Sequence, residues 1–387
     1  MQDRVPLYPG RVTLTPVAGQ ENTFDMARAD QPTQEGTPLN KATLLKDVTA
    51  SILGLPNTAV PDDAFLALTI GIGTYGYRVK IQLSDGTPVE GATVSGITSL
   101  TGSTLVSGAD GIVLGKSTSK TVTISCTSPY IDQAAPASQS VTATGTITDV
   151  TLTLTSITDM ITVTSSKTTK VSPMAKTMDV TAVGGGGGGG GYNQNSRYDG
   201  AGAGGGGGYV STKIGVECAD KLLKIALGGR GSGSNYADGN VSAGGSGGDT
   251  SLQIDGVSAL TANGGKGGAG GSSGPTAGGS GNGSGGNGGR YENVAQPGGS
   301  GSGYIFNDSR LGLAGGGGGG GGFSGNNATD ATAKSGGLPY GGKGGTQDGT
   351  PSGTSGSGPG GGGGGAGSTN GNGGAGSSGQ MYLRFHF

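Results

Sequence analysis

Apolar residues recur at different periods along the chain, and the first distinct region is residues 1–70. PLYPGRVTLTPV alternates as an extended strand does, whereas GTPLNKATLLKDVTASILGL repeats its apolar residues at helical spacing. Asn40 is placed to cap this helix at its start. The apolar face of the helix comprises Leu44, Leu45, Val48 and Ile52. We therefore predict one strand and one amphipathic helix in this region.

A second short helix is predicted in VPDDAFLAL. Pro61 suits the first helical position, and Asp62 and Asp63 lie near the positive end of the helix dipole. The whole segment is too short to bury a core of its own. We expect it to cover its apolar faces by assembling with copies of itself or with a neighbouring protein.

Residues 71–160 change to a period of two. YRVKIQL, ATVSGI, TVTISC, QSVTATG and VTLTLTSI are rich in Val, Ile and Thr, and turns such as DGTP and GADG separate them. This alternation predicts a small β-sandwich. The stretch RVKIQLSDGTPVEGATVSG with GADGIVLG resembles the carboxypeptidase-regulatory-like or prealbumin-like modules. That resemblance implies an immunoglobulin- or prealbumin-type sandwich that acts as a spacer.

Residues 161–387 combine alternating runs with tracts of glycine. ITVTSSKTTKV and TMDVTAV come first, and the second leads directly into eight glycines at residues 184–191. Later glycine runs lie at irregular intervals, at residues 204–208, 315–322 and 360–365. Between the runs lie YVSTKIGV, DKLLKIALGG, SLQIDGVSALTANGG and SRLGLAGG. Each glycine run is therefore tied to a predicted strand.

The chain closes with the alternating segment MYLRFHF. Its apolar residues Met381, Leu383, Phe385 and Phe387 share one face of a predicted strand. We expect a terminal strand with this face to be docked on the domain.

Glycine runs have three available states. A flexible linker is one, since glycine loses the most backbone entropy on ordering. A pure glycine β-sheet is another, but no side chains would set its register. The third is a bundle of polyglycine helices of the polyproline II type, in which each helix bonds only to its neighbours. We predict this bundle, because a linker would not end each run on an amphipathic strand.

Composition excludes several classes of function. The net charge of −2 provides no positive field for nucleic acid, and no stretch is apolar enough to insert in a membrane. Cys126 and Cys218 are expected to be separate buried thiols, and His386 is the only histidine, so no cofactor or metal site is predicted. Carboxylates are sparse and no nearby pair is marked for glycoside hydrolysis, so we expect no enzyme; a depolymerase, built from carboxylates that are distant in sequence and meet in the fold, is the enzymatic alternative.

The informative polar segments are those that join glycine runs, such as YNQNSRYDGA, GSGSNYADGN, GRYENVAQPGG, FSGNNATD and LPYGGKGG. Tyrosine beside amides gives a loop rigid aromatic area and adaptable hydrogen bonds, which suits recognition. Ordinary polar turns are the alternative for any one of them. The candidate receptor-contacting residues are Tyr192, Asn193, Arg197, Tyr198, Tyr236, Tyr291, Asn293 and Tyr340.

TMDVTAVGGGGGGGG, AGAGGGGGYVSTKIGV, LKIALGGRG and the terminal strand resemble the glycine-rich domains of bacteriophage tail proteins, including tip adhesins. GTPLNKATLL resembles the attachment region of tail-fibre and baseplate proteins. These resemblances imply a mainly β virion protein, made in the host cytoplasm, in three parts: attachment at residues 1–70, spacer at 71–160 and receptor binding at 161–387. They also imply a homotrimer, a tail or baseplate partner, and a polysaccharide or protein receptor on the bacterial surface. A structural virion protein without recognition is the rival.

Overall fold

The structure is a computed structural model of the 387-residue chain. It describes residues 5–6, 11–18, 23–28, 32–34, 45, 50, 53, 55, 58–71, 74–100, 102–133, 137–145, 147–155, 157–192, 201–235, 242–271, 277–288, 298–299, 303–305, 313–315, 318, 335–346, 352–367 and 371–387. The chain divides into two compact units, Met1–Ser128 with Pro136–Thr155, and Pro129–Ala135 with Ser156–Phe387. The fold is mainly β, as the alternating pattern predicts.

The first unit begins with two small antiparallel pairs and one helix. The predicted second helix is confirmed as α1, which starts at Pro61 and ends at Ile70, just before Gly71, where φ is +94°. The Asp63 carboxylate accepts the Val60 N–H at 2.9 Å and so caps it. Most of the predicted helix after Asn40 lies outside the described residues. The strands are β1 (Val5–Pro6), β2 (Val12–Pro16), β3 (Phe24–Arg28) and β4 (Pro32–Gln34), paired β1–β4 and β2–β3, and α1 is Pro61–Ile70.

The rest of the first unit forms two sheets with alternating buried residues, as expected of a β-sandwich. One sheet has the order β11-β5-β8-β7 and the other β10-β9-β6. In β5 the residues Val79, Ile81 and Leu83 are fully buried, which matches the period of YRVKIQL. The strands are β5 (Tyr75–Leu83), β6 (Thr93–Ser95), β7 (Thr98–Ser99), β8 (Ile112–Ser117), β9 (Thr121–Thr127), β10 (Ala137–Thr142) and β11 (Ile147–Leu154).

The second unit is built on two four-stranded sheets, β12-β21-β14-β15 and β13-β16-β17-β18. One apolar core joins them, with Met178 and Leu383 from the first sheet and Leu223 and Leu252 from the second. Ile131, which precedes β10 in the chain, packs in the same core. The strands are β12 (Met160–Val163), β13 (Lys167–Lys170), β14 (Thr177–Val183), β15 (Val210–Glu217), β16 (Leu222–Ala226), β17 (Thr250–Ile254), β18 (Val257–Ala262), β19 (Gly303–Tyr304), β20 (Leu313–Ala314) and β21 (Gln380–His386).

The terminal strand β21 is docked, as MYLRFHF predicts, and it lies between β12 and β14. Met381, Leu383 and Phe385 are buried, because alternate residues of β21 face the core. The prediction that Phe387 shares this docked face is wrong, because Phe387 follows the last paired residue of β21 and is 47% exposed. The buried apolar face of this strand therefore has three members rather than four.

The eight-glycine run is an ordered helix whose hydrogen-bond partners repeat every three residues. Gly184, Gly187 and Gly190 donate to Tyr209, Gly206 and Ala203, at 2.9, 2.9 and 2.8 Å. The N–H groups of the run donate to residues 203–209, 242–248 and 374–377, which are antiparallel to it, and its carbonyls accept from residues 231–234, 265–271 and 363–366, which are parallel. Three residues per turn with bonds only to neighbouring helices is the polyproline II geometry predicted for the bundle.

Two further glycine runs are enclosed in the same way. Residues 202–209 donate to residues 263–269, 283–286 and 360–366 and accept from residues 184–190, 279–282 and Gly318. Residues 360–367 are bonded to the runs 184–191 and 202–209 and also to residues 342–345 and 374–377. All residues of the runs 184–191, 201–208 and 360–367 are buried. The three runs are therefore the interior of the bundle. Alanine occupies positions 201, 203 and 366, but at positions such as Gly187 a Cβ would lie against the backbone of a neighbouring helix, so glycine is required there.

One helix at the surface of the bundle, residues 263–271, carries its side chains in a single row. Residues 263–271 read NGGKGGAGG, in which the glycines pack inward and Lys266 is exposed. One open position in three is what a helix with three residues per turn leaves when two of its rows are covered. The spacing of glycine is therefore regular within this helix, although it is irregular along the chain as a whole.

Candidate recognition surface at the distal end of the glycine bundle

One end of the glycine bundle is continuous with the two sheets of its unit, and we call it the sheet end. The runs that begin or finish there are bonded to one another: Gly208 donates to Gly360 at 2.7 Å, and Gly379 donates to Gly228 at 2.9 Å. Thr250 closes this end, because its buried hydroxyl donates to the Val183 carbonyl at 2.7 Å and accepts the Gly228 N–H at 2.9 Å. Strand hairpins and tight turns connect the helices here.

The opposite end, which we call the distal end, is where the polar segments leave the bundle. Gly191 donates to Ser242 at 3.1 Å and accepts from Gly271 at 2.7 Å, and Gly202 donates to Ala366 at 2.8 Å. These residues border the segments 193–200, 236–241, 272–276 and 368–370. Among the described residues of 184–288 and 342–379, consecutive helices run in opposite directions, so each of these four segments starts and finishes at the same end.

The segment at 289–297 also starts from the distal end. Gly204, close to the distal end of its run, donates to Gly286 at 2.9 Å, and the Asn287 amide oxygen accepts the Gly278 N–H at 3.0 Å. The helix formed by residues 283–288 therefore ascends away from the sheets before the chain reaches Tyr291. The sequence alone does not reveal this common end.

Seven of the eight predicted contact residues belong to segments that leave the distal end. Tyr192 is the only one of these seven within the described ranges, and it is buried, with 7% of its surface exposed. It borders the segment but offers little surface to a partner. The other six lie outside the described residues: Asn193, Arg197, Tyr198, Tyr236, Tyr291 and Asn293.

Tyr340 is the exception, because it lies at the sheet end. Its carbonyl accepts the Ser357 N–H at 2.9 Å, beside the turn that leads into the run at Gly360. Gly342, two residues later, donates to Gly362 at 2.8 Å as the chain turns back towards the distal end. Tyr340 therefore does not share a surface with the other candidates.

The described residues that border the distal segments carry amides and hydroxyls. The Ser234 hydroxyl accepts the Gly373 N–H at 3.2 Å, and the Ser352 hydroxyl accepts the Asn372 N–H at 3.0 Å. These bonds help to satisfy backbone donors at helix ends, and the Gly373 N–H also donates to the Ser234 carbonyl at 3.1 Å. The border of the distal end is thus polar and uncharged among the residues that the structure describes.

The titratable groups with shifted pKa values lie away from the distal end. Burial raises the pKa of the Cys218 thiol to about 12, and burial likewise raises the pKa of Cys126. Both thiols are free and buried, so the expected pair of separate thiols is confirmed. For Asp179, burial acts to raise the pKa, but hydrogen bonds from the Gly215 N–H and from His386 outweigh it and lower the pKa.

The described part of the chain contains neither a metal-binding cluster nor a membrane-spanning helix. Within it, no group of three His, Cys, Asp or Glu residues is placed to hold a metal ion. No helix in the described ranges is long and apolar enough to cross a membrane.

Comparison with known proteins identifies the region that contains the bundle. A family model described as a glycine-rich domain matches residues 162–386, a span that runs from within β12 to the end of β21. No curated protein matches the chain.

Proposed function

Since the chain belongs to the glycine-rich domain family over more than half of its length, we propose that it is a bacteriophage tail-fibre or tail-tip protein that binds the bacterial surface. The binding end would be the distal end of the glycine bundle. Glycine helices present no side chains, so the bundle itself cannot distinguish one surface from another. Specificity would come from the segments that interrupt it, held by a rigid scaffold.

The observation that carries this proposal is the common end of the tyrosine- and amide-rich segments. The chain enters and leaves the segments 193–200 and 236–241 at the distal end, and it enters the segment 289–297 there; these segments contain Tyr198, Tyr236 and Tyr291. Several short segments together cover more surface than any one of them could, as antibody loops do. A polysaccharide or a surface protein would be the receptor.

The N-terminal elements support attachment by assembly. In the β2–β3 hairpin, Leu14 pairs with Met26, and both side chains are more than half exposed. Phe65 and Leu68 of α1 are also more than half exposed. A two-stranded hairpin is marginally stable in water by itself, so an uncovered apolar face calls for a partner. We propose self-association, as a homotrimer, together with docking on a tail or baseplate protein.

Each of the three regions of the chain would have its own role. Residues 1–70 would attach, residues 71–160 would act as the spacer, and residues 161–387 would recognise the host, with the protein located in the phage tail. A structural cap or scaffold with the same bundle is the rival, in which the distal segments bind nothing.

Replacement of each distal segment by Gly and Ser of equal length tests the proposal. We expect the replacements at 193–200, 236–241 or 289–297 to fold normally, and at least one to reduce adsorption of the full-length protein to host cells. The control is Val257→Thr, an exposed position on a strand of the sheet end, which should leave adsorption unchanged. Normal adsorption by all folded replacements would favour the cap or scaffold.

A further inference from the structure

Tyr340 has a backbone conformation that tyrosine rarely adopts. Its φ is +73°, in the left-handed region. The other described non-glycine residues with positive φ are Asp220 and Asp255, whose short polar side chains tolerate it. A bulky residue held there is strained, and such strain persists only where the surrounding structure imposes it. Strained residues of this kind are concentrated at binding and catalytic sites.

The ring of Tyr340 is supported from one side. A Cβ placed on Gly358 would lie 2.3 Å from ring atom Cδ1, 2.4 Å from Cγ and 2.6 Å from Cε1, so the glycine backbone lies directly against the ring. Tyr340 nevertheless remains 41% exposed, and Leu338 beside it is 75% exposed. The turn therefore presents an aromatic ring and an aliphatic side chain to solvent.

A second tyrosine, Tyr382 of β21, belongs to the same corner of the unit, because the Ser377 hydroxyl, three residues before Gln380, donates to the carbonyl of Gly358, the glycine that lies against the Tyr340 ring. Tyr382 is half-buried on β21; burial and, secondly, the neighbouring Tyr340 raise the pKa of Tyr382 to about 12. The Tyr382 hydroxyl donates to the Gln380 amide oxygen at 2.9 Å, which leaves the amide nitrogen of Gln380 as a donor. One phenol, that of Tyr382, and one amide, that of Gln380, thus lie near the exposed Tyr340 ring.

The patch is too small for a stable protein partner. A specific protein interface uses about 20–30 residues on each side. Around Tyr340 and Leu338 the neighbouring described residues are glycine and serine, such as Ser335, Gly341 and Ser357. A ligand of one or two rings matches the patch better, with an apolar face to stack on the ring and hydroxyls for directional bonds.

We propose that Leu338, Tyr340 and Tyr382 form a carbohydrate subsite for a neutral pyranose ring at the sheet end of the bundle. The sugar's C–H face would stack on Tyr340, and its hydroxyls would bond to the Tyr382 phenol and the Gln380 amide. Aromatic side chains bind such ligands at low entropy cost because they have few rotatable bonds. This subsite is separate from the distal end and goes beyond the proposed function.

The test measures binding of simple sugars to the full-length chain. The probes are methyl α-glucopyranoside, methyl β-galactopyranoside and methyl N-acetyl-β-glucosaminide, each detected by saturation-transfer NMR. We expect at least one to bind, and Tyr340→Asn to raise its Kd about tenfold, which corresponds to about 1.4 kcal/mol. The matched control is Tyr209→Asn, since Tyr209 is equally exposed, at 40%, and should leave the Kd unchanged.

Thermal melting separates binding from a structural role. Asparagine tolerates the left-handed backbone, so Tyr340→Asn should melt at the same temperature as the wild type or higher. A large fall in melting temperature would show that the ring is structural and would overturn the proposal. Binding of none of the three probes, or equal binding by Tyr340→Asn, would overturn it too.

Adsorption to host cells distinguishes a failure of the carbohydrate subsite from a failure of the proposed function. Tyr340→Asn should adsorb as the wild type does, because the distal segments are intact. A replacement of segment 193–200 should still bind the methyl glycoside. Either claim can therefore fail while the other holds.

Discussion

A single methyl group added at Gly187 should unfold the glycine bundle. Gly187 lies in the middle of the enclosed run, where its N–H donates to Gly206 at 2.9 Å and its carbonyl accepts from Gly363 at 2.9 Å. A Cβ at this position would lie 2.1 Å from the Lys266 carbonyl oxygen and 2.4 Å from its carbon. Both atoms are backbone, so no side chain can turn away to relieve the clash.

The expected magnitude follows from the bonds that would have to lengthen. The helix of residues 263–271 must move away by about 1 Å to restore an acceptable contact. That movement opposes the bonds from Gly265 to Gly185 and from Gly268 to Gly188, at 2.8 and 2.9 Å, and the bond that Lys266 accepts from Gly206 at 2.8 Å. Three buried backbone bonds left unmade cost about 3–9 kcal/mol.

The total free energy of unfolding of an ordinary domain is only about 5–15 kcal/mol, so a loss of this size removes a large part of it. Gly187→Ala should therefore lower the melting temperature by about 6–36 °C, or prevent folding at the upper end of that range, since 1 kcal/mol corresponds to about 2–4 °C in a domain of this length. Gly187→Val should be worse, because its side chain is larger and β-branched.

The assay is differential scanning calorimetry of the full-length protein, with Gly229→Ala as the matched control. Gly229 belongs to the same bundle, but a Cβ there would meet nothing within 4 Å. Alanine at such a site reduces the entropy of the unfolded chain, so Gly229→Ala should stabilise by about 0.4–1 kcal/mol. Equal melting temperatures for Gly187→Ala, Gly229→Ala and the wild type would refute the packed helix.

The terminal strand, the thiols and one carboxylate provide further predictions. Removal of residues 381–387 should abolish protease resistance of the second unit, because β21 is an interior strand, whereas deletion of Phe387 alone should be tolerated. Cys218, with its pKa raised to about 12 by burial, should react with iodoacetamide at pH 8 only after denaturation. The pKa of Asp179 is lowered below 3.8, because hydrogen bonds from Gly215 and His386 outweigh its burial, so its contribution is present above pH 3.8 and is lost as the pH falls through the folded value. Melting curves of Asp179→Asn and the wild type should therefore differ at pH 6 and converge towards pH 2.

The strands of both units could be predicted because their alternation has a simple cause. A strand with one buried face needs an apolar residue at every second position, and β5, β14 and β21 follow this rule. The prediction for Phe387 was wrong because alternation does not reveal where pairing stops. Pairing ends at His386, one residue before the end of the chain.

The glycine helices could be predicted as a class, but not in their arrangement. The recurrence of glycine runs beside strands indicates a bundle. A GGK or GGA repeat indicates a helix in which one row of side chains faces solvent. Which runs are enclosed follows from partners far away in sequence, as when Gly189 donates to Gly374 at 2.8 Å. A glycine has no side chain whose character could identify such a partner.

The candidate contact residues also show which features the sequence could predict and which it could not. The tyrosine and amide content of the segments marks them as candidates, because residue type alone determines what a side chain can bind. Their location depends on the direction of each helix, which places the segment at 193–200 at the distal end and Tyr340 at the sheet end. The direction of each helix is set by the connecting segment before it, after which the chain runs antiparallel to the preceding helix.

By itself, the sequence determined the mainly β class, the helix at Pro61, the strands and the ordered state of the glycine runs, since these depend on local periodicity and on the missing side chain of glycine. The tertiary structure alone decided which runs are enclosed, which end the polar segments share, and that Tyr340 is strained and supported by Gly358. The physical reason is that backbone hydrogen bonds between helices are chemically identical along a glycine run. Only the packing of the whole bundle selects one set of partners.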